Sequence, residues 1–422
     1  MKSPERFLRR KKSLGVVSPT LAYQPRVAFL YATFPRPTET FVRRELSALW
    51  LHGAEITPIS IWQGDDIFDG RKVERFRLRE LWSLFFWLPY WTFCRPREFR
   101  EILGELWSRP CLSLQNWNET FLALGFALVR ACRMKREGYS ICHAVWATMP
   151  STAALALKKL VGIQYSMGAH AYDVFRRRGD WLLSLKLQEA AFVRSSSAST
   201  EKRLGELGLP AEKLKLVHRG LAKWPATTER KGFGKSIEIL SVGRLVPKKG
   251  YFDQLMVLRS LHRSGIVFRA RIVGGGPLLD ELERERDRLG LADYVTFLGP
   301  LSEDEAHRLY AESDLFLFTG KVASDGDRDG IPNVLPEAMA AGVVVITSPC
   351  GGAAEAVEDG KTGFVRDPSR PDEWVALVQD LLVVPEKVIG LRKSAAAAAR
   401  RRFDVERTGR ELLSHLLKAC EG

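Results

Sequence analysis

The stretch DLFLFTGKVASDGDRDGIPNVLPEAMAAGVVVITS, residues 314–348, establishes the class of fold. It begins with an apolar run, passes through a polar loop into the helical pattern VLPEAMAAG, and ends in the β-branched run VVVITS. A strand, a helix and a second strand in this order are typical of a parallel sheet covered by helices. Because ligands bind such sheets at the carboxyl ends of their strands, candidate functional residues are expected in the loop of this stretch.

The loop carries aspartates at alternate positions. Asp325, Asp327 and Asp329, followed by a glycine, match the start of a calcium-binding loop, which also needs a bidentate glutamate at loop position 12. Position 12 is Pro336, and Glu337 misses it by one residue. The spacing argues against calcium, and we expect no metal. A manganese clamp for a sugar nucleotide, formed by the Asp-x-Asp pairs, is the alternative.

Strand and helix patterns alternate along the chain. RVAFLY and TETFVRRELSALWLHG open the series in the first half, and IEILSVG and YFDQLMVLRSLHRSG open it again in the second. We predict an α/β fold with two Rossmann-like doubly wound domains facing each other across a cleft; one large α/β domain is the alternative. The predicted segments are a basic N-terminal extension (1–25), a first domain (26–222), a linker (223–236), a second domain (237–395) and a C-terminal helical segment that packs back on the first domain (396–422).

Positive charge and tryptophan are concentrated in the first half. Through Ala222 there are 35 lysines and arginines against 20 acidic residues, and beyond it there are 29 against 30. Nine of the 11 tryptophans lie between Trp50 and Trp181. The two halves are therefore expected to expose different surfaces and to meet different partners.

Several classes of protein are disfavoured. The six cysteines are scattered without a CxxC pair, which favours neither a zinc site nor a disulfide framework and predicts a reducing cytoplasm. The start of the chain lacks the apolar run of a secretory signal, and no stretch approaches the roughly 18 apolar residues of a membrane span. No helix-turn-helix, zinc-finger or RNA-recognition motif accompanies the basic charge, so we expect no nucleic acid as partner.

Two loops of the second half follow strands and carry candidate ligand groups. SVGRLVPKKG contains Arg244, a fork-shaped cation, and Lys249, a compact cation, and together they suit a diphosphate. Lys248 is interpreted as a solvated neighbour. The alternative for the whole loop is a solvated basic turn. IVGGGPLLDEL has three glycines, among them Gly275, which permit close approach to a ligand; a tight turn is the alternative. Neither a dinucleotide fingerprint nor a P-loop occurs, which disfavours nicotinamide and P-loop ATP chemistry.

Residues 329–337 add two carboxylates and a set of backbone donors. Asp329 precedes the predicted helix and Glu337 lies inside it, where each can accept hydrogen bonds from the vicinal hydroxyls of a ribose or a hexose. Between them, GIPNV can aim backbone N–H groups at a phosphate. An exposed helical glutamate without a ligand is the alternative for Glu337.

Four motifs of the second half, in this order, resemble family 4 of the retaining glycosyltransferases, which have the GT-B fold. They are SVGRLVPKKG, IVGGGPLLDEL, VTFLGPLSEDEAHRLYAESDLFLF and DGIPNVLPEAMAAGVVVITSPCGGAAEAVEDGKTGFV. In the first half, FPRPTETFVRRELSALWLHGAEI and GAHAYDVF are similar to the branch that builds exopolysaccharide and lipopolysaccharide. The resemblance implies transfer of a sugar from a nucleoside-diphosphate sugar, held by the second domain, to a saccharide or lipid-linked acceptor held by the first.

The resemblance also implies roles for the candidate residues. Arg244 and Lys249 would hold the diphosphate, Glu337 the ribose hydroxyls, and Asp329, where most relatives have glutamate, the sugar hydroxyls. His170 would lie near the anomeric centre, with a structural core histidine as the alternative. The rest of the predicted donor site is Gly275, Ile331, Pro332, Asn333 and Val334. The acceptor side is predicted at Glu39, Thr40 and Asp173.

Retention of configuration at the anomeric carbon is a further implication of the resemblance. Departure of the nucleoside diphosphate builds negative charge on phosphate oxygens, which Arg244, Lys249 and helix N–H groups would stabilise in place of a metal. No cofactor is expected, because the nucleotide sugar is a substrate. The alternatives are a phosphorylase or sugar-nucleotide epimerase of the same fold, and a non-catalytic basic protein that binds a membrane or nucleic acid.

The segment LWSLFFWLPYWTF, residues 81–93, is predicted to dock on an anionic membrane surface. It is too short to span a bilayer, whereas its three tryptophans and Tyr90 suit the interface between headgroups and chains. A buried helix that closes the core of the first domain is the alternative. We therefore expect a cytoplasmic protein that is peripheral on the inner face of the cell membrane. Its flanking arginines are Arg75, Arg77, Arg79, Arg95, Arg97 and Arg100.

Overall fold

The structure, a computed structural model, describes residues 25–36, 39–108, 113–175, 180–227 and 232–421. Residues 1–24 of the predicted N-terminal extension and residues 228–231 of the predicted linker lie outside the described residues.

The described residues of the first domain form nine strands, the first of which coincides with the predicted apolar run RVAFLY. They are β1 (Arg26–Thr33), β2 (Ile56–Gln63), β3 (Ile67–Phe68), β4 (Arg71–Lys72), β5 (Glu74–Arg75), β6 (Tyr139–Ala144), β7 (Gln164–Ala169), β8 (Val193–Ser195) and β9 (Leu214–Leu216). Seven form one parallel sheet in the order β5-β2-β1-β6-β7-β8-β9, and β3 and β4 form a separate antiparallel hairpin. The central strands are apolar on both faces because helices cover both sides of the sheet.

Helices surround this sheet. They are α1 (Thr40–Leu51), α2 (Leu84–Cys94), α3 (Pro96–Ser108), α4 (Leu114–Arg136), α5 (Met149–Val161), α6 (Tyr172–Phe175), α7 (Leu183–Glu189) and α8 (Ala198–Glu206), with short 3₁₀ turns at Leu78–Ser83 and Ala211–Lys213. Helix α1 buries Val42, Leu46 and Leu49, whose spacing puts them on one face of the helix. Among the described residues, no helix is both long enough and apolar enough to cross a bilayer.

The second domain has the strand order of a dinucleotide-binding fold. Its strands are β10 (Ile237–Val242), β11 (Phe268–Val273), β12 (Val295–Gly299), β13 (Leu315–Phe318), β14 (Val344–Thr347) and β15 (Phe364–Val365). They form a parallel sheet in the order β12-β11-β10-β13-β14-β15, which is the doubly wound 3-2-1-4-5-6 arrangement. The prediction of two doubly wound sheets is confirmed.

The helices of the second half include one that returns to the first domain. They are α9 (Tyr251–Arg263), α10 (Leu279–Arg288), α11 (Glu303–Glu312), α12 (Val334–Ala340), α13 (Ala353–Ala356), α14 (Pro371–Val383), α15 (Pro385–Arg402) and α16 (Val405–Glu421), with a 3₁₀ turn at Pro247–Lys249. Leu412 and Leu416 of α16 join the buried cluster that also contains Trp50 of α1.

The predicted domain boundary at residue 395 falls inside a continuous helix. Helix α15 stays packed along α12 as far as Arg402, because its small residues Ala395, Ala398 and Ala399 are buried against the second domain. The chain leaves this helix at Phe403 and then crosses to the first domain through α16. Helix α15 therefore continues past the predicted boundary, and the chain crosses to the first domain only between α15 and α16.

Candidate active site

A cavity of about 240 Å³ lies where the carboxyl ends of the two sheets face each other. Loops that follow β1, β6, β7, β8 and β9 form its first-domain wall, and the loops before α9 and α12 form the opposite wall. The first-domain lining is Thr40, Phe41, Trp146, His170, Ala171, Tyr172, Ser196 and Arg219. The second-domain lining is Lys248, Lys249, Arg328, Asp329, Gly330, Ile331, Pro332 and Asn333.

Two lysines and two aspartates form a charge cluster on the second-domain wall. Lys249 Nζ lies 2.7 Å from Asp329 Oδ2, and Lys248 Nζ lies 2.9 Å from Asp327 Oδ2 and 3.4 Å from Asp329 Oδ1. Burial acts to raise the pKa of Asp329, but Lys249 and Lys248 outweigh it, and the pKa falls below its usual value. The prediction that Lys248 is a solvated neighbour was wrong, because the 3₁₀ turn of its loop points both lysines inward.

The lysine loop is held against the end of β13 by a glycine. Gly250 has φ of 68°, and a Cβ atom there would lie 1.8 Å from the carbonyl oxygen of Thr319. The Thr319 hydroxyl donates to the Gly250 carbonyl at 2.9 Å, and Lys321 N donates to the Lys248 carbonyl at 2.8 Å. A residue other than glycine would push the lysines away from Asp329.

Arg244 and Gly275 do not line the cavity. Arg244 is exposed, and a Cβ atom on Gly275 would meet Pro300 at 3.7 Å, an ordinary van der Waals distance. The glycine run serves a contact between loops: a Cβ on Gly274, whose φ is 140°, would lie 1.9 Å from the carbonyl oxygen of Gly243.

Glu337 is enclosed between the two domains. Its side chain is 12% exposed; the Tyr310 hydroxyl donates to Oε2 at 3.2 Å, and Arg44 of the first domain lies 3.5 Å from Oε1. Burial raises its pKa, and Arg44 acts in the opposite direction. The exposed-glutamate alternative was therefore wrong. Arg44 also pairs with Glu303 at 2.7 Å, so one arginine ties the domains together at two points.

The remaining donor-site candidates differ in their surroundings. Ile331, Pro332 and Asn333 line the cavity directly before α12. Val334 is the first residue of α12 and packs against the apolar cluster between that helix and the sheet. The structure thus brings together most of the predicted donor residues but directs Val334 into the core.

His170 lines the cavity and is also buried. Its Nε2 lies 3.1 Å from the Val145 carbonyl oxygen and its Nδ1 lies 3.4 Å from the Ser196 hydroxyl, while the Trp146 ring packs at 4.8 Å. Burial, followed by the charges of Arg219 and Arg194, holds the pKa of His170 well below its usual value. The imidazole is therefore neutral near pH 7 and presents no charge to a substrate.

Asp173 was predicted on the acceptor side, and the structure does not place it there. Its carboxylate is buried and accepts hydrogen bonds from the backbone N–H groups of His170 at 2.8 Å and Ala147 at 3.0 Å. Burial raises its pKa to about 6. Asp173 therefore joins the loops after β6 and β7 and positions His170, and it is not among the residues that line the central cavity.

Glu39 and Thr40 lie at the start of α1. Glu39 forms an ion pair with Arg36 at 3.3 Å, and burial raises the pKa of Glu39. Thr40 lines the central cavity and also a second cavity of about 700 Å³ between α1, the β3–β4 hairpin and the second domain. Thr40 thus lies where the two cavities adjoin.

Sequence reasoning missed Arg219. This residue follows β9, and its guanidinium carbon lies 3.3 Å from the ring centroid of Phe41 and 5.4 Å from that of Trp146. Its Nε and Nη2 atoms are buried and have no hydrogen-bond partner among the described residues. A cation shortly after a strand was the available signal, but the rings that enclose it come from distant loops.

The aspartate run of residues 325–329 has a structural explanation. Asp325 Oδ1 accepts from the backbone N–H of Asp327 at 3.0 Å, while Asp327 and Asp329 face the lysines. Within the described part of the chain, no group of three or more histidine, cysteine, aspartate or glutamate side chains is arranged to hold a metal ion.

Comparison with known proteins identifies the class of this site. Residues 226–402 match the family model for glycosyl transferases group 1. The chain is 26% identical over 371 residues to the putative colanic acid biosynthesis glycosyltransferase WcaL of Salmonella typhimurium, covering 81% of this chain and 86% of that protein. It is 31% identical over 239 residues to the GDP-mannose-dependent alpha-(1-6)-phosphatidylinositol monomannoside mannosyltransferase of Mycobacterium tuberculosis, covering 54% and 60%. Anabaena Alr3699/HepE, solved with UDP and glucose, superposes with a TM-score of 0.67 at 18% identity, covering 93% of this chain and 100% of that one.

Residues 226–402 belong to the group 1 glycosyl transferases, family 4, and the chain has the GT-B fold. It is a glycosyltransferase that uses nucleotide sugars. The predictions of family, fold and enzyme class are confirmed.

Proposed function

We propose that this enzyme transfers a hexose, with retention, from a nucleoside-diphosphate sugar to a lipid-linked saccharide during cell-surface polysaccharide biosynthesis. The observation that carries the proposal is the Lys248–Lys249–Asp329 cluster, which faces a cavity closed by the first domain. The named functions of WcaL and the mycobacterial mannosyltransferase, and the UDP and glucose bound to HepE, support a nucleotide-sugar donor and a polysaccharide or lipid acceptor.

The donor is proposed to bind along the second-domain wall. Its diphosphate lies against Lys249 and Lys248, whose charges offset the negative charge that grows on the leaving group. Asp329, already 2.7 Å from Lys249, accepts from sugar hydroxyls, and Glu337 accepts from the ribose. When the ribose binds, Arg44 gives up its 3.5 Å contact with Glu337 and keeps its shorter contact with Glu303.

The acceptor is proposed to enter through the second cavity. That cavity adjoins the donor site at Thr40 and is lined by groups that can bind sugar hydroxyls, such as Arg43, Ser47 and Asp69. A saccharide several units long fits a cavity of about 700 Å³, whereas the central cavity of about 240 Å³ is left for the reacting sugars.

A lipid-linked acceptor requires contact with a membrane, and the first domain has a suitable surface. Trp82, Phe85, Phe93 and Trp107, on the turn before α2 and on α2 and α3, are each more than 80% exposed. Trp91 of the same segment is instead buried, and its indole N–H donates to the Leu128 carbonyl at 2.8 Å. We define these four exposed side chains as the aromatic surface and propose that it docks on anionic lipid, assisted by nearby arginines.

Product analysis tests the function. Purified enzyme is incubated with a panel of nucleotide sugars and lipid-linked saccharides, mass spectrometry detects the product, and NMR assigns its anomeric configuration. We expect one hexose added with the configuration of the donor. Sugar transfer with inversion, or transfer only to soluble free saccharides, would contradict the mechanism or the acceptor respectively.

A further inference from the structure

Arg219 is a buried cation on the first-domain wall whose donor groups are not satisfied. Its Nε and Nη2 atoms lack hydrogen-bond partners among the described residues. The nearby carboxylates are already engaged: Glu45 pairs with Arg194 at 2.5 Å, and Glu39 pairs with Arg36 at 3.3 Å. A guanidinium that serves only the fold normally bonds to backbone carbonyls or carboxylates, as Arg194 does with the carbonyl of Val217 at 3.0 Å. Nε and Nη2 of Arg219 make no such hydrogen bonds with described residues.

The aromatic rings around Arg219 fix the direction of its donors. The guanidinium carbon lies 3.3 Å from the Phe41 ring centroid, so one face of the group is covered. Stacking on a ring leaves the in-plane N–H groups available, and their fork geometry matches two oxygens of a phosphate. Arg219 also lines the central cavity, so an anion bound between the two domains would lie next to this guanidinium.

The balance of charge in the cavity also favours an anion. On the opposite wall Lys248 and Lys249 are both paired with aspartates, whereas Arg219 has no ion pair with a described residue. Burial, followed by the charge of Arg194, lowers the pKa of Arg219 to about 9, which still leaves it charged near neutral pH. A bound anion would remove the cost of burying this unpaired charge.

We propose that Arg219 binds a phosphate group of a bound substrate from the first-domain side. The proposal rests on the proposed function for the choice of substrates. Two sources have this chemistry: the diphosphate of the nucleotide sugar and the phosphate of a lipid-linked acceptor. In the first case Arg219 closes over the leaving group opposite Lys249; in the second it places the acceptor hydroxyl next to the donor sugar.

The test compares Arg219→Met and Arg219→Lys with a matched control, Arg26→Met. Arg26 also stacks on an aromatic ring, with its guanidinium carbon 4.5 Å from the Tyr139 centroid, but it lies at the amino end of β1, away from the cavity. Calorimetry measures the Kd of pyrophosphate, UDP and GDP. Initial rates measure the KM of acceptors with and without a phosphate, and thermal unfolding measures the Tm.

We expect Arg219→Met to weaken one substrate about 10-fold or more and Arg219→Lys to weaken it less, since lysine keeps the charge but loses the fork. A higher Kd for the nucleotides and pyrophosphate assigns the phosphate to the donor. A higher KM for the phosphorylated acceptor alone assigns it to the acceptor. The Tm of Arg219→Met should stay equal or rise, because an unpaired buried charge is removed.

Two results would overturn the proposal. One is binding by Arg219→Met that equals binding by Arg26→Met for every probe. The other is a Tm that falls in both Arg219 variants together with binding, which would show a structural role. The pyrophosphate and nucleotide measurements do not need turnover, so absence of sugar transfer by the unmodified enzyme would contradict the proposed function separately.

Discussion

The two domains share one architecture but differ in net charge, in the pairing of their buried cations and in the exposure of aromatic side chains. The second domain is nearly neutral by sequence, and the lysines at its cavity are paired with aspartates. The first half of the chain carries the excess of positive charge, and the first domain exposes Trp82, Phe93 and Trp107. Among the described residues, two buried donor atoms of its Arg219 have no hydrogen-bond partner. A doubly wound sheet does not impose these differences, and we infer that they reflect different ligands of the two domains.

The second domain has a preorganised site, whereas the site of the first domain is incomplete without a ligand. On the second-domain wall, Asp329 holds Lys249 in place before any ligand arrives, which lowers the entropy lost when a diphosphate binds. In the first domain, two buried donor atoms of Arg219 lack a hydrogen-bond partner among the described residues, and the aromatic surface is exposed, so we propose that a substrate and a lipid surface complete these two sites. Four experiments test this difference between the two domains.

The largest effect is expected from Glu337→Gln in the second domain. The amide replaces one acceptor by a donor, and loss of a charged hydrogen bond is worth roughly 1.5–3 kcal/mol, or about 10- to 150-fold in kcat/KM. Donor kinetics and a Tm measurement check this. Glu303→Gln is the matched control, because Glu303 also pairs with Arg44 but is more exposed. Equal losses in both variants would show that Glu337 acts only by holding Arg44.

A smaller effect is expected when the aromatic surface of the first domain is removed. The test is the double variant Phe93→Ser, Trp107→Ser. Each substitution removes a side chain that inserts partly into the bilayer and should cost about 1 kcal/mol of membrane-binding free energy. The affinity for anionic liposomes, measured by flotation, should therefore fall roughly 30-fold. Both side chains are about nine-tenths exposed, so the fold should survive. Val383→Ser, at another exposed apolar side chain but on the second domain, serves as control. Unchanged flotation of the double variant, or equal binding of the unmodified protein to neutral liposomes, would contradict anionic docking.

Lys248→Met tests whether the inward position of this lysine matters. Lys248 is mostly buried between Asp327 and Asp329, so its loss should reduce donor kcat/KM by about 1 kcal/mol, roughly 5-fold. Lys249→Met, which removes the 2.7 Å contact, should be worse. Steady-state kinetics with varied donor give both values. If Lys248→Met behaves like the unmodified enzyme, only Lys249 serves the diphosphate.

No effect is expected from chelation of divalent ions. Lys248 and Lys249 supply the positive charge that a metal provides in other transferases, and the aspartates nearest to them are already paired. Rates with and without EDTA measure this directly. If EDTA abolishes the activity and manganese restores it, the prediction is wrong, and the Asp-x-Asp pairs would be identified as a manganese site.

Local patterns predicted the strands, the main helices and most of the donor-side loops correctly. The periodicity of α1 and the apolar run of β13 are visible in the sequence because each buries a continuous face or strand. Side-chain direction was less predictable: Arg244 and Lys248 share a loop, yet the 3₁₀ turn directs Lys248 inward and leaves Arg244 exposed. Side chains of the segment 81–93 also point in different directions: Trp91 is buried in the core, and Phe93 is exposed to solvent.

The order of strands, helices and glycine-bearing loops is contained in the chain, because hydrophobic periodicity and backbone conformation are local properties. The identity of the family also follows from it, since the motifs occur in one order. The partners of Arg219, Asp173 and Glu337 are not local: each side chain meets groups more than 20 residues away in the sequence. Asp173 and Arg219 become buried when distant segments of the first domain pack together, and Glu337 becomes enclosed when the two domains meet, because desolvation and ion pairing depend on what surrounds a group in space.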